Sequence, residues 1–174
     1  MNPPGRHADP AAVLRERARR LAAAADDGRA RRTMQVLLFR LGSEEVALPV
    51  GELAEIAPFR GCTPVPGAPP AVRGVVNLRG SIRPVVDLAV LLGLEAPGPA
   101  TDGTVLFLRR HGGPGLLVGA ARSIDAVDPA LLVRPEPETD QARRFLSGVF
   151  PGGFGLLDPD VLWAALAALE SNAT

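Results

Sequence analysis

Two groups of residues in this sequence could do catalytic chemistry. His111 begins the run HGGPG, whose backbone amides could bind an anion, and its imidazole could act as a general base. The run lacks the Gly-Lys-Ser/Thr ending and the following helix of a phosphate-binding loop, and no serine or cysteine lies in a recognisable nucleophile motif. We therefore interpret HGGPG as a hairpin turn and His111 as an exposed turn residue.

Asp158 and Asp160 form the second group, one on each side of Pro159. Acidic residues at the start of a helix interact favourably with its dipole, so capping explains the pair without a metal ion. Cys62 is the only cysteine, and the two histidines are far apart in sequence, which gives no zinc-ligand spacing. The sequence predicts no catalytic residue, no metal site and no cofactor.

Three arginines occur in the stretch VRGVVNLRGSIRPVVDL, residues 72–88. Two runs of branched apolar residues flank Arg79-Gly80, a pattern typical of a β-hairpin, and Arg79 is then exposed at its tip. Glu55 could meet Arg79 if the proline-rich loop between them folds back. Because an exposed ion pair contributes under ~1 kcal/mol, orientation or partner recognition explains it better than stability. Arg73 and Arg83 alternate with apolar residues, and we expect both to face solvent.

The composition indicates one ordinary domain or two small barrels with a common core. Of the 174 residues, 47% are hydrophobic and 22% charged, while 19 Gly and 18 Pro indicate many turns and short elements. No apolar window is long enough for a membrane span, and no secretory signal is recognisable, so we expect a cytoplasmic protein. With six Phe and one Trp, mostly in apolar runs, aromatic platforms for nucleic acid are not indicated.

Residues 1–33 differ from the rest because they hold eight arginines and four acidic residues. From Pro10 to about Arg32 good helix formers predict a helix with a thin apolar stripe. We interpret it as a solvated, partly helical extension. The alternative is an arginine arm for nucleic acid or acidic lipid.

The remaining chain reads as short strands separated by turns. Strands are predicted at 34–41, 44–50, 72–78, 82–87, 105–110, 116–121, 145–150 and 154–158, with a helical turn and a short extended piece at 51–58, a short helix at 88–92 and a closing helix at 161–169. Many short strands and few helices predict a mainly β fold of small closed barrels.

The stretch Val72–Leu88 closely resembles the signature of the CheW family of chemotaxis coupling proteins. The resemblance runs from about Met34 to Leu169. It includes the opening VLLFRLGSEEVALPV, the Glu55-Ile56 pair, the proline-rich loop before Val72 and the element Phe145–Gly148.

The resemblance implies two SH3-like five-stranded β-barrels sharing a core within a CheW-like domain at 34–170, preceded by the N-terminal extension and closed by a C-terminal helix. It implies a non-catalytic adaptor at receptor arrays on the inner face of the membrane. Its partners would be the regulatory domain of the histidine kinase CheA and the cytoplasmic tip of a chemoreceptor, with contact to the membrane only through receptors and no nucleic acid. By the same resemblance the partner-binding residues are Glu55, Ile56, Asn77, Leu78, Arg79, Gly80 and Val105.

Two alternatives stay open. The first is a diverged scaffold of a chemosensory pathway that does not control flagella. The second is a small-barrel protein that binds nucleic acid through its arginine arm. One departure from the family pattern lies at 119–124, where the sequence GAARSI replaces a Val-Ser-Asp-Val-like run.

Overall fold

A computed structural model describes residues 33–94, 103–134 and 143–171, and these residues form a mainly β structure. The predicted arginine-rich helix at 10–32 lies outside the described residues. Within them, no helix is both long enough and apolar enough to cross a membrane.

Within the described residues, ten strands and two α-helices follow one another. They are β1 (Met34–Leu41), β2 (Glu44–Pro49), β3 (Leu53–Pro58), β4 (Val72–Leu78), β5 (Ser81–Asp87), α1 (Leu88–Leu91), β6 (Thr104–Leu108), β7 (Gly115–Val118), β8 (Ala121–Val127), β9 (Leu146–Val149), β10 (Gly155–Leu157) and α2 (Pro159–Ser171). Short 3-10 turns occupy Val50–Glu52, Arg110–Gly112, Pro129–Leu131 and Arg143–Phe145.

The strands form two five-stranded sheets with the same spatial arrangement of strands. Sheet 1 has the order β8-β1-β2-β10-β9, and sheet 2 has the order β3-β6-β7-β5-β4. Each sheet contains one parallel pair, β10 with β2 and β5 with β7, and its other pairs are antiparallel. Sheet 1 therefore takes strands from both ends of the described chain, whereas sheet 2 comes from its middle.

Alternating residues of the central strands serve two different cores. On β6, Val105 and Phe107 pack inside sheet 2, while Leu106 and Leu108 point into a larger cluster that also contains Leu37 and other residues of sheet 1. The interior clusters draw on all five strands of sheet 2 and, in sheet 1, on β1, β2, β8 and β10 together with Phe150, which follows β9. Each sheet thus curls around its own interior, and the two share a third apolar layer, which confirms the predicted pair of barrels with a common core.

Two aspartates start the two helices. Asp87 Oδ1 accepts hydrogen bonds from the backbone N–H groups of Ala89 and Val90, at 3.1 and 3.3 Å. Asp158 Oδ1 accepts from the N–H groups of Asp160 and Val161, at 3.0 and 3.2 Å. Asp158 is therefore the N-cap of α2, which confirms the capping interpretation of this acidic group.

The strand and helix predictions are largely confirmed, with one omission. The predicted hairpins at 34–50, 72–87 and 145–158 are all present, and α2 is longer than the predicted 161–169. Strand β8 was not predicted, because nearly all its side chains are exposed and it therefore shows no apolar alternation.

Candidate partner-binding site

The turn between β4 and β5 holds its exposed residues in an unusual backbone conformation. Arg79 has φ 50° and Gly80 has φ 85°, the positive pair that a two-residue type I′ hairpin turn requires. Among the described residues Arg79 is the only non-glycine with positive φ. Asn77 Oδ1 accepts a hydrogen bond from the Gly80 N–H at 2.8 Å, which fixes the turn. A glycine would fit at position 79 with less strain, so the arginine side chain is retained at a conformational cost of about 1 kcal/mol.

Glu55 meets Arg79 across the two edges of sheet 2. Arg79 Nε lies 3.1 Å from Glu55 Oε2, and the arginine side chain remains 79% exposed whereas that of Glu55 is 29% exposed. Since β3 and β4 are the opposite edge strands of this sheet, the ion pair connects strands that do not pair with each other. The carboxylate thus orients the guanidinium while leaving most of its surface open to a partner.

The other residues suggested by the resemblance lie at different depths around this pair. Asn77 and Gly80 are exposed, Ile56 is 41% exposed, and Leu78 is half-buried against the interior cluster of sheet 2. Val105 is 3% exposed and packs in that same cluster. Val105 can therefore meet a partner only through the interior of the barrel, and the exposed part of the site consists of the turn, Glu55 and Ile56.

Arg83 contradicts the expectation that it faces solvent. Its Nε donates to the carbonyl of Gly113 at 2.9 Å and its Nη2 to that of Leu108 at 3.3 Å, with Nη2 also bonded to the Gly113 carbonyl. The guanidinium carbon lies 6.0 Å from the centre of the Phe107 ring. The physical reason is alternation, because Arg83 lies on the same face of β5 as Val85, whose side chain packs inside sheet 2.

Among the described residues, no group of three or more His, Cys, Asp or Glu side chains could hold a metal ion. Cys62 Sγ donates to the carbonyl of Arg73 at 3.2 Å and is not in a disulfide. Residues 110–112 form a 3-10 turn that overlaps the start of the predicted HGGPG turn at 111–115.

The sequence reasoning missed Ile124, an exposed apolar residue on β8. Ile124 is 54% exposed and pairs with Leu37 of β1, just as Ile56 of β3 pairs with Leu106 of β6. Both edge strands also carry a bulge at the matching place. The two isoleucines are thus equivalent positions of a repeated architecture, a relation that becomes visible only after the two sheets are compared.

Comparison with known proteins supports the same reading. The CheW-like domain model matches residues 35–165, well over half of the chain. A probable chemotaxis protein CheW of Rhizobium etli is 32% identical over 117 residues, which cover 66% of this chain and 76% of that protein. Protein PilI of Pseudomonas aeruginosa is 39% identical over 57 residues, which cover 33% of this chain and 32% of that protein.

A solved structure shows the same fold. The scaffolding protein TtCheW of Thermoanaerobacter tengcongensis superposes with a TM-score of 0.66 at 24% identity, over 76% of this chain and 88% of that one. The family match, the signature turn and the twin five-stranded sheets agree, and the chain belongs to the CheW-like domain family.

Proposed function

We propose that this protein is a non-catalytic adaptor that couples chemoreceptors to the histidine kinase CheA in chemotaxis signalling. It acts by binding alone, and it works in the cytoplasm at receptor arrays on the inner face of the membrane. Its partners are the regulatory domain of CheA and the cytoplasmic tip of a receptor. Family membership and the relative named as a chemotaxis protein support this proposal.

The observation that carries the proposal is the geometry of Arg79. This residue occupies a strained turn position, is held by Glu55 and still exposes 79% of its side chain. An exposed ion pair of this kind stabilises a fold by less than ~1 kcal/mol, too little to explain why the strain is kept. A rigidly held, exposed guanidinium beside the exposed Ile56 fits a docking site in which charge sets the register and an apolar side chain adds affinity.

A second candidate is a scaffold for a chemosensory pathway with an output other than flagellar motion. The similarity to protein PilI favours this possibility, since that relative carries a name other than chemotaxis protein CheW. The two candidates share the same docking site and differ in the receptor and kinase that occupy it. Coupling measured with CheA and receptor from each type of pathway distinguishes them.

Reversing the charge of Arg79 tests the docking site. We expect Arg79→Glu to weaken coupling about tenfold, because it removes a hot-spot cation and places a carboxylate opposite Glu55. The measurement is receptor-controlled autophosphorylation of CheA on reconstituted receptor membranes, with the adaptor titrated. The control is Arg134→Glu, which reverses an exposed arginine that has no ion pair among the described residues.

The double variant Glu55→Arg, Arg79→Glu separates a partner contact from an internal role. It restores an ion pair between β3 and the turn, so the melting temperature should return to that of the native protein. Coupling should stay low if Arg79 contacts a partner. Normal kinase control by Arg79→Glu alone would refute the proposed role of this residue.

A further inference from the structure

Sheet 2 has an open cavity beside the proposed docking turn. Its volume is about 530 Å³, within the range of ligand-binding clefts, and it opens on the side where edge strands β3 and β4 face each other. Its apolar lining includes Phe59, Val76, Leu78, Val105 and Phe107. These residues belong to the interior of the barrel, so the barrel core is accessible from outside at this point.

The corresponding interior of sheet 1 is filled by aromatic side chains. Phe150 is 4% exposed, and its ring centre lies 5.1 Å from that of Phe154; both pack in the interior cluster of sheet 1. In sheet 2 the equivalent turn between β4 and β5 carries Arg79 and Gly80 and supplies no aromatic side chain. The two barrels share one spatial arrangement of strands but differ in how their interiors are filled.

The rim of the cavity is polar and carries positive charge. Arg60 is the only charged residue in the lining, it is exposed, and no ion pair neutralises it among the described residues. Thr63 and Asn77 add exposed polar groups. An apolar floor with an unpaired cation at the mouth matches a ligand that has an apolar side chain next to carboxylates.

We propose that this cavity binds an acidic peptide segment of a partner protein, with one large apolar side chain inserted between β3 and β4. The mouth suits an extended segment, because β3 is an edge strand, and the Thr63–Val75 bridge occupies the outer edge of β4 only at its central residue. Arg60 then meets a carboxylate next to the anchor. Asn77, Leu78 and Val105 are candidate partner-binding residues that also line the cavity, so this proposal extends the docking site. It assigns a ligand class to the barrel interior and would hold for either type of pathway.

The thiol of Cys62 reports whether the cavity is occupied. It is the only cysteine of the chain, it lines the cavity, and it is half-buried there. A peptide bound in the cavity covers its thiol and slows alkylation by iodoacetamide. The probe is a synthetic peptide with a central leucine flanked by glutamates, and its matched controls carry lysines in place of the glutamates or alanine in place of the leucine.

We expect saturable protection of Cys62 in the full-length protein by the acidic peptide, with alkylation slowed about tenfold and protection weakened by salt. Ala57→Leu, which fills the cavity from β3, and Arg60→Glu should each weaken binding about tenfold. Ala54→Leu, on the same strand but outside the lining, should bind as the native protein does. Thermal melting of each variant establishes that it is folded.

Three results would overturn the assignment: no protection at high peptide concentration, equal protection by the lysine-flanked or alanine-centred peptide, or undiminished binding by a folded Ala57→Leu variant. The outcome is independent of the kinase assay. Arg79 lies outside the lining, so Arg79→Glu should lose coupling while the peptide still protects Cys62. Retained coupling in this variant contradicts the docking role of Arg79, whereas absent protection in the native protein contradicts the cavity assignment.

Discussion

Arg73 and Arg83 lie on the two strands of one hairpin but have different environments. Arg73 is the extra residue of a β-bulge between Val72 and Gly74, and its side chain has no hydrogen-bond or ion-pair partner among the described residues. Arg83 instead donates to the carbonyl of Leu108, at the end of β6, and to that of Gly113, on the connection to β7. Both arginines alternate with apolar residues in the sequence. A bulge and a contact with a distant turn leave no local signal, so the sequence alone does not distinguish the two environments.

Truncating the two arginines to methionine should therefore have unequal effects. Arg83→Met leaves two carbonyl groups without their charged donor, and we expect the free energy of unfolding to fall by about 2 kcal/mol. Arg73→Met should change it by less than about 0.5 kcal/mol, as expected at a surface position without partners. Urea denaturation of both variants measures the difference. Equal losses would show that the Arg83 bonds contribute nothing beyond an ordinary surface arginine.

At the scale of elements, both sheets close in the same way. In each sheet a short extended segment pairs with the outer edge of an edge strand. Thr63 pairs with Val75 of β4 in sheet 2, and Val133 pairs with Val149 of β9 in sheet 1, each through two backbone hydrogen bonds of 2.8 to 3.0 Å. A glycine precedes the paired valine in each sheet, as required by the close approach of the segment. In the sequence alone, Gly74 and Gly148 show no relation to each other, because their equivalence becomes visible only when the two sheets are compared.

Gly74 is the more demanding of these two positions. It has φ 149°, and a Cβ added there would lie 2.7 Å from the carbonyl carbon of Thr63. We expect Gly74→Ala to lower the free energy of unfolding by about 3 kcal/mol, because the segment that lines the cavity must move away. Gly80→Ala is the matched control, since its φ is 85° but no atom lies within 4 Å, and it should cost about 1 kcal/mol. Urea denaturation compares them, and equal losses would mean that only φ matters.

At the scale of the molecule, the order of strands makes the two barrels inseparable. Along the chain, strands β3 to β7 of sheet 2 lie between β1–β2 and β8–β10 of sheet 1, and both sheets contribute to the shared cluster. The sequence predicted the hairpins because their turns are local. It did not predict the parallel pairs β10 with β2 and β5 with β7, which join residues distant in sequence. The exposed rim of the candidate site was predictable from its turn, whereas the cavity beside it depends on those distant pairings.

The barrels should consequently unfold as one cooperative unit. Trp163, the only tryptophan, lies on α2, and its Nε1 donates to Glu52 Oε2 at 3.3 Å, on the turn between the two sheets. Its fluorescence and the far-UV circular dichroism should follow a single urea transition with one midpoint.

Leu106→Ala tests the shared layer, because Leu106 is fully buried in the common cluster. We expect it to lower the midpoint of both signals together, with a loss of about 3 kcal/mol from the apolar contacts removed and the cavity left behind. Ile82→Ala is the control, since Ile82 is 65% exposed and its truncation should cost under about 0.5 kcal/mol. If instead the two signals separate in the Leu106 variant, one barrel keeps its structure after the other has unfolded, and the shared layer does not bind them into a single folding unit.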